Sequence, residues 1–203
     1  MTTLNLADGY YDLPPGKLVS VVTLLAMHRP PQRSLFALRR PWHLEPLTGA
    51  STLEIYRSLY RDIGEEWLWF SRRVMSDDSL IGLLEHPGIA CFALTDGTTR
   101  AGLLELDFRD STSCELAFFG VLGEFQGGGL GRAMLDKGIK LAFQRPIERF
   151  WLHTCTHDSP KALPFYLRSG FLAYGRQIEV HEDYRLSGLL PRSAAPHIPL
   201  LES

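Results

Sequence analysis

A glycine-rich turn near the middle of the chain has the features of an anion-binding site. It holds four glycines: Gly127, Gly128, Gly129 and Gly131. An apolar stretch ends just before the turn, and a segment with helical periodicity begins at Leu130. Glycine lets the backbone approach a ligand closely and adopt positive φ. Because the first amides of a helix are unpaired and its dipole favours negative charge, this pattern predicts a phosphate- or pyrophosphate-binding turn.

Two common phosphate-binding motifs do not fit this turn. A P-loop would continue with Lys and then Ser or Thr, whereas Arg132 and Ala133 follow Gly131. A dinucleotide fingerprint would require a third glycine where Met134 stands. From these residues alone, a glycine turn without a ligand stays open as the alternative.

Carboxylates on two neighbouring predicted strands are candidates for accepting a proton. Glu115 lies on the strand that enters the glycine turn, and strand alternation places it on the same side as Ala117 and Phe119. Glu105 and Asp107 share one face of the preceding strand. A positioned carboxylate can serve as a general base, although an exposed sheet face would also explain such residues, Asp107 above all.

A third group of reactive residues lies near one predicted strand end. His153 and His157 flank Cys155, and Asp158 follows. A zinc site would need further ligands that the sequence does not place, so we predict no metal. A nucleophilic Cys–His pair is conceivable but equally unsupported. His157 and Asp158 could instead line an acceptor pocket.

Hydrophobic periodicity predicts the elements that position these residues. The predicted strands are Leu18–Met27, Ile89–Thr95, Arg100–Phe108, Cys114–Leu122, Arg149–Cys155 and Phe171–Val180. The predicted helices are Leu53–Ile63, Ser79–Glu85, Leu130–Phe143 and Pro160–Ser169. Asp96-Gly97 predicts a hairpin. The order indicates an α/β fold with a mixed sheet, flanked by an arm over residues 1–16 and a proline-containing tail over 181–203.

Composition excludes several classes of protein. The chain has 203 residues, 45% of them hydrophobic, and a net charge of −2, so broad nucleic-acid binding is not expected. Cys91, Cys114 and Cys155 are odd in number and far apart, which is typical of reduced thiols in a cytosol. The longest apolar stretch, Leu18–Met27, is too short to span a membrane, and no signal-peptide pattern opens the sequence. We therefore predict a cytoplasmic protein without a membrane partner.

Three segments together resemble one protein family. Gln126-x-x-Gly129-x-Gly131 is similar to the Q/R-x-x-G-x-G/A signature of the GNAT superfamily of N-acetyltransferases. The segment Glu115–Val121, separated from Gln126 by four residues, resembles the strand–loop spacing of the histone acetyltransferase branch. Ala162–Phe171 is similar to the family's helix-to-strand ending. The resemblance covers residues 89–180, and Gly127 and Gly128 depart from it where many members carry larger or basic residues.

The resemblance implies a fold and a set of site residues. The implied fold is a mixed, mostly antiparallel central sheet over residues 17–180, with helices on both faces and a splayed parallel strand pair at the cofactor site. The cofactor is acetyl-CoA, held by Gln126, Gly127, Gly128, Gly129, Gly131 and Arg132. Phe119 and Val121 pair with its pantetheine arm, and the amide of Phe119 faces the thioester carbonyl. Glu115 acts as base with Glu105 as the alternative, and Tyr166 gives a proton to the departing thiolate.

The function implied is transfer of an acetyl group to a primary amine of a small molecule or peptide. The alternative is a non-catalytic acyl-CoA-binding sensor or scaffold, in which Glu115 and Tyr166 would have no use. The carboxylates Glu105, Asp107, Glu115 and Asp158 favour a cationic acceptor. A homodimer is left open. Of Trp67 and Trp69, we expect one in the core and the other at the acceptor site.

Overall fold

Within the part of the chain that the computed structural model describes, residues 5–202, seven strands form one sheet. Residues 1–4 of the predicted arm and Ser203 of the predicted tail lie outside it. The strands are β1 Lys17–Met27, β2 His43–Pro46, β3 Ile89–Thr95, β4 Arg100–Asp107, β5 Ser113–Val121, β6 Arg149–Cys155 and β7 Leu172–Glu182. Their order is β2-β3-β4-β5-β6-β1-β7, and every neighbouring pair except β5–β6 is antiparallel. The predicted mixed, mostly antiparallel sheet is confirmed.

The parallel pair β5–β6 separates along its length. Ser113 to Glu115 pair with Arg149 to Trp151, and no pairing follows between the later residues of the two strands. Beyond this point β5 stays paired with β4, while β6 stays paired with β1 as far as Cys155. Because β5 stays beside β4 and β6 stays beside β1, a gap opens in the sheet between β5 and β6. This gap is the splayed parallel pair that the resemblance implied.

Helices cover both faces of the sheet. They are α1 Leu53–Gly64, α2 Asp77–Leu84, α3 Leu130–Ala142 and α4 Ala162–Ser169. On β4, Leu103 packs into the core formed with α1 and α2, whereas Leu104 packs into the core formed with α3 and α4. Both side chains are fully buried, as expected for a strand with a covered face on each side. None of the helices within residues 5–202 is long and apolar enough to cross a membrane.

The first strand lies far from its sequence neighbours. β1 inserts between β6 and β7 and is antiparallel to both, with Leu25 opposite Leu152 on one side and Ala173 on the other. The chain then crosses to the opposite edge of the sheet, where the short strand β2 pairs with β3. The sequence predicted β1 as a strand but predicted neither its position nor β2.

The proline-containing tail packs against the domain. Leu190, Ala194 and Ala195 form a small core with Leu68, which lies just after α1. The Arg185 guanidinium is buried and makes a two-pronged ion pair with Asp183. The same guanidinium donates hydrogen bonds to tail carbonyl oxygens, those of Ala194, Ile198 and Pro199. The buried Arg185 side chain thus fixes the irregular backbone of the tail between residues 194 and 199.

Candidate active site

The glycine turn lies at the start of α3 and is open to a ligand. Gly127 and Gly129 have φ of 88° and 83°, a left-handed conformation that favours glycine. Gly129 is the residue immediately before the first turn of α3. No atom lies within 4 Å of the position that a Cβ would take at Gly127, Gly128 or Gly129. The space above the turn is therefore free for a bound group.

The amides of this turn point to no acceptor within the described chain. The first amide to bond back is that of Ala133, which donates to the Gly129 carbonyl oxygen at 3.0 Å. Among residues 5–202, no oxygen accepts a hydrogen bond from the amides of residues 127–132. Unpaired amides at a helix start, together with the helix dipole, suit a diphosphate. Residues 127–132 thus present a row of free backbone donors, and their predicted role in cofactor binding stays a prediction.

The side chains at the two ends of the turn have structural partners. The Gln126 amide donates to the Val121 carbonyl oxygen at 3.3 Å, which ties the turn to β5. The Arg132 guanidinium donates to the Arg168 carbonyl oxygen at 3.1 Å and lies 3.6 Å from the buried Asp136 carboxylate. Arg132 therefore offers its amide to a ligand, while its side chain joins α3 to the end of α4.

Two backbone amides of β5 face the gap in the sheet. The Leu122 amide donates to the Ala101 carbonyl oxygen at 2.8 Å, so this amide faces β4. Because successive amides of a strand point to opposite sides, those of Phe119 and Val121 point away from β4. β6 does not pair with this part of β5. An extended ligand in the gap could therefore pair with Phe119 and Val121, as the resemblance implied.

A β-bulge interrupts β5 near its middle. Glu105 lies opposite Phe118, whereas Leu106 lies opposite Leu116, so Ala117 is left without a partner on β4. An extra residue of this kind bends the strand and breaks the simple alternation of side chains. The side chains before and after Ala117 therefore do not keep the regular alternation between the two faces of the sheet that the sequence predicted.

The bulge changes the predicted position of Glu115. Glu115 lies opposite Asp107, whereas Phe118 packs into the α1–α2 core and Phe119 into the α3–α4 core. The Glu115 side chain is thus on the α1–α2 face, and that of Phe119 is on the α3–α4 face. The prediction that Glu115 shares a side with Phe119 is wrong, because alternation holds only within a regular strand. The gap consequently has different side chains on its two faces.

On the α1–α2 face, Glu115 contacts a histidine of β6 at the point where the gap begins. His153 Nδ1 lies 3.3 Å from Glu115 Oε1, and the two side chains are 47% and 23% exposed. The hydrogen bond with Glu115 raises the pKa of His153, and the negative charges of Glu179 and Asp158 act in the same direction. Sequence reasoning weighed His153 only as a metal ligand or nucleophile partner. The contact joins two strands that are distant in sequence, so no local signal pointed to it.

The contacts of the Glu105 carboxylate indicate a role in stability. Its carboxylate is fully buried, and it accepts a hydrogen bond from the Tyr56 hydroxyl at 2.5 Å. It also pairs with the Arg72 guanidinium at 2.7 Å, and Arg72 in turn lies over the Phe118 ring. Both oxygens are thus occupied and screened from solvent, which argues against Glu105 as the alternative base. Asp107 is paired in turn with Arg109 at 2.6 Å.

Tyr166 lies on the opposite face of the sheet. Its ring is 6.3 Å from that of Phe119 in an edge-on arrangement, which places it beside the gap. Burial raises the pKa of Tyr166, so the phenol keeps its proton at neutral pH. Within residues 5–202, no group hydrogen-bonds the Tyr166 hydroxyl. This hydroxyl is therefore available as a proton donor.

The residues at the end of β6 are held in place by one another. Asp158 accepts hydrogen bonds from the Thr154 hydroxyl at 2.7 Å and the Cys155 amide at 2.8 Å. Burial raises the pKa of the Cys155 thiol, and burial together with His181 lowers that of the buried His157. A nucleophilic Cys–His pair would need a thiolate, so the structure gives it no support. The part of the chain that is described holds no group of three or more His, Cys, Asp or Glu side chains that could bind a metal.

The two tryptophans after α1 have different surroundings. Trp69 packs on Tyr60 and Phe118, with ring centroids 5.3 and 5.0 Å away, and joins the α1–α2 core. Trp67 lies 5.6 Å from His197 of the tail. Trp69 thus takes the core position that the sequence assigned to one of the pair, and Trp67 contacts the tail.

The mixed sheet with its gap beside β5 and the open amide turn at α3 form the arrangement of an acyltransferase of the GNAT type. The sequence model of the acetyltransferase (GNAT) family matches residues 51–171, more than half of the chain. The chain therefore belongs to this family of acetyltransferase enzymes.

A named relative and solved structures agree with this assignment. Over 145 residues, the chain is 30% identical to mycothiol acetyltransferase from Beutenbergia cavernae, covering 71% of this chain and 41% of that protein. It thus spans about two fifths of the relative's length. A GCN5-related N-acetyltransferase from Kribbella flavida superposes with a TM-score of 0.58 at 16% identity, over 85% of this chain and 63% of the other. An acetyltransferase from Thermus thermophilus gives 0.54 at 17% identity, over 73% and 99%. At such identities these two structures establish the shared fold alone.

Proposed function

We propose that the protein is an acetyl-CoA-dependent N-acetyltransferase that acts on a primary amine. One observation carries the proposal: the open amide turn adjoins a gap that has Glu115 and His153 on one face and Tyr166 on the other. Acyl transfer to an amine requires a site for the diphosphate of the acyl donor, a group that accepts the proton of the amine and a group that protonates the leaving thiolate.

The residues present fit acetyl-CoA. When bound, acetyl-CoA supplies an activated acyl group as a thioester. The amides of residues 127–132 would bind its pyrophosphate, and those of Phe119 and Val121 would pair with the pantetheine arm. The Phe119 amide would also hold the thioester carbonyl oxygen, where negative charge develops.

The Glu115–His153 pair would prepare the acceptor. A primary amine is largely an ammonium ion at neutral pH and must lose a proton before it can attack. Glu115 and His153 lie within contact of each other, and the hydrogen bond with Glu115 raises the pKa of His153, so the pair would accept that proton, directly or through water. Tyr166, on the other face, would protonate the thiolate that departs. The acceptor would thus approach from the α1–α2 face and the acyl donor from the α3–α4 face.

The decisive experiment measures thiol release from acetyl-CoA across a panel of primary amines. The panel should include mycothiol-related amines, because the relative is named mycothiol acetyltransferase. We expect at least one amine to be acetylated by the parent protein. Tight acetyl-CoA binding without transfer to any amine would instead favour the acyl-CoA-binding module considered as the alternative.

Gly129→Val is expected to weaken acetyl-CoA binding about tenfold or more. Gly129 has φ of 83°, where a side chain costs about 1–2 kcal/mol and a β-branched one more, so the turn must rearrange. The added methyl groups would also enter the space where the phosphates are expected. Isothermal titration calorimetry measures the dissociation constant.

Gly123→Ala is the matched control for this change. Gly123 precedes the turn, has no positive φ, and has open space around its Cβ position, so this variant should bind acetyl-CoA like the parent. Equal affinity of Gly129→Val and the parent would show that the cofactor binds elsewhere.

Tyr166→Phe is expected to lower turnover by about 10²-fold, the usual size of general-acid catalysis by one group. Since its hydroxyl has no hydrogen-bond partner among residues 5–202, thermal stability and acetyl-CoA affinity should stay close to those of the parent. Rapid-quench measurement under conditions where chemistry limits the rate tests this. A rate equal to that of the parent would assign Tyr166 to packing with Phe119 alone.

A further inference from the structure

A cavity of about 210 Å³ lies between α1, α2, the segment after α1 and the tail. The lining consists of Tyr56, Arg57, Tyr60, Arg61, Arg72, Arg73, Leu80 and Leu189. Four arginines and two tyrosines therefore line one small space, and that lining includes no carboxylate. We call it the arginine cavity. It is separate from the glycine turn, which lies at α3 on the opposite face of the sheet.

Arg61 and Arg73 keep donors free beyond their ion pairs, whereas Arg57 is already bonded through Nε and both terminal nitrogens. Arg61 pairs through Nε with Asp62 at 2.9 Å, and Arg73 pairs through one terminal nitrogen with Glu65 at 3.2 Å. A guanidinium carries five N–H donors, so a single carboxylate contact leaves several unused. Each of the four arginines has one carboxylate partner, and these acidic partners lie outside the lining, so no carboxylate competes with a ligand inside the cavity.

One of these cations carries an energetic cost that an anion would relieve. Arg72 is 15% exposed, and its Nε is buried without a hydrogen-bond partner among residues 5–202. A buried donor of this kind is usually satisfied by some acceptor. A bound oxyanion would supply the acceptor atom that the Arg72 Nε lacks.

We propose that the arginine cavity binds an oxyanion: a carboxylate, sulfate or phosphate group. The planar guanidinium fork matches the geometry of these groups and bonds them in pairs. Two sources share this chemistry, an acidic group of the acceptor molecule and a free anion. Binding of the anion itself does not depend on acetyl transfer, so it is tested without activity.

The first experiment titrates inorganic phosphate and follows the arginine Nε–Hε resonances by NMR. Because the glycine turn also suits phosphate, the titration is made in the Gly129→Val background as well as in the parent. We expect shifts of arginine resonances in both proteins. Arg61→Gln and Arg73→Gln should each weaken binding about tenfold, the usual effect of losing one charge-assisted hydrogen bond.

Two controls isolate the effect of the cavity. Arg61→Lys retains the charge and should keep part of the affinity. Arg100→Gln removes an exposed arginine that pairs with Glu45 outside the cavity, so phosphate binding should be unchanged. Thermal midpoints in phosphate-free buffer show that each variant is folded. Loss of all phosphate binding in Gly129→Val, or equal affinity of Arg61→Gln and the parent, would overturn the proposal.

The second experiment distinguishes the two sources. If the anion belongs to the acceptor, Arg61→Gln should raise KM for an amine that bears a carboxylate and leave KM for its neutral amide analogue unchanged. If a free anion binds, both KM values stay the same while phosphate raises the thermal midpoint of the parent more than that of Arg61→Gln. Either result supports the site. The absence of both effects would contradict it even if the protein proves to be an active acetyltransferase.

Discussion

Glu115→Gln is expected to lower turnover by about 10²–10⁴-fold, the usual range for one positioned general base. The amide preserves the size of the side chain but cannot accept a proton at neutral pH. Acetyl-CoA affinity should change little, because the proposed cofactor contacts are backbone amides of other residues. The rate should recover partly as pH rises, because the acceptor amine then loses its proton without help. Steady-state kinetics across pH with the best amine of the panel measures this.

A second prediction for the same variant concerns the pKa of His153. Because the Glu115 carboxylate raises the pKa of His153, that pKa should fall towards its ordinary value in Glu115→Gln. The Glu115 carboxylate stabilises the charged imidazolium form of His153, and this decides how the stability depends on pH. The pair stabilises the folded parent fully below the ordinary histidine pKa, and this contribution is lost as pH rises through the raised value. NMR titration of the imidazole and urea unfolding at several pH values test both statements.

Two controls separate the possible roles at this site. Glu124→Gln changes an exposed carboxylate next to the glycine turn and should leave turnover unchanged. His153→Gln should slow the reaction in the same direction as Glu115→Gln if the two residues act as a pair. Parent-like turnover in Glu115→Gln, with chemistry limiting the rate, would mean that the amine arrives already neutral. Catalysis would then rest on orientation and the Phe119 amide.

Glu105→Gln is expected to lower the free energy of unfolding by about 3–5 kcal/mol, the usual cost of removing one partner of a buried ion pair. The change leaves the Arg72 guanidinium, which is 15% exposed, without its carboxylate. The Tyr56 hydroxyl also loses a charged acceptor at 2.5 Å. Urea unfolding measures the effect.

The neighbouring carboxylate offers a matched control. Asp107 lies two residues away on the same face of β4 and also pairs with an arginine, but that arginine, Arg109, is 52% exposed. Asp107→Asn should therefore cost no more than about 1 kcal/mol. Folded Glu105→Gln should keep near-parent turnover. A large, pH-rescued loss of rate in Glu105→Gln together with unchanged stability would return the role of base to Glu105.

Local patterns in the sequence were sufficient to predict most elements of this fold. Strands β3 and β6 have the predicted bounds, Ile89–Thr95 and Arg149–Cys155, and helix α3 begins at the predicted Leu130. Such elements follow from period-2 and period-3.6 hydrophobic patterns and from glycine and proline at their ends, all of which are local properties. The glycine turn could also be predicted from local sequence, because its conformation depends on the residues within it. The short strand β2 has no such pattern and ends in a proline, so it was missed.

The arrangement of the site was decided by tertiary structure. The bulge at Ala117 arises from the register between β4 and β5, and it moves Glu115 to the face opposite Phe119. The charge of the buried Glu105 carboxylate is balanced by Arg72, which lies in the segment between α1 and α2. The Glu115–His153 contact forms because β5 and β6, which are distant in sequence, pair in parallel as far as Glu115 and Trp151. Register and long-range pairing are set by how whole faces pack together, and a residue's neighbours in the sequence carry no record of them.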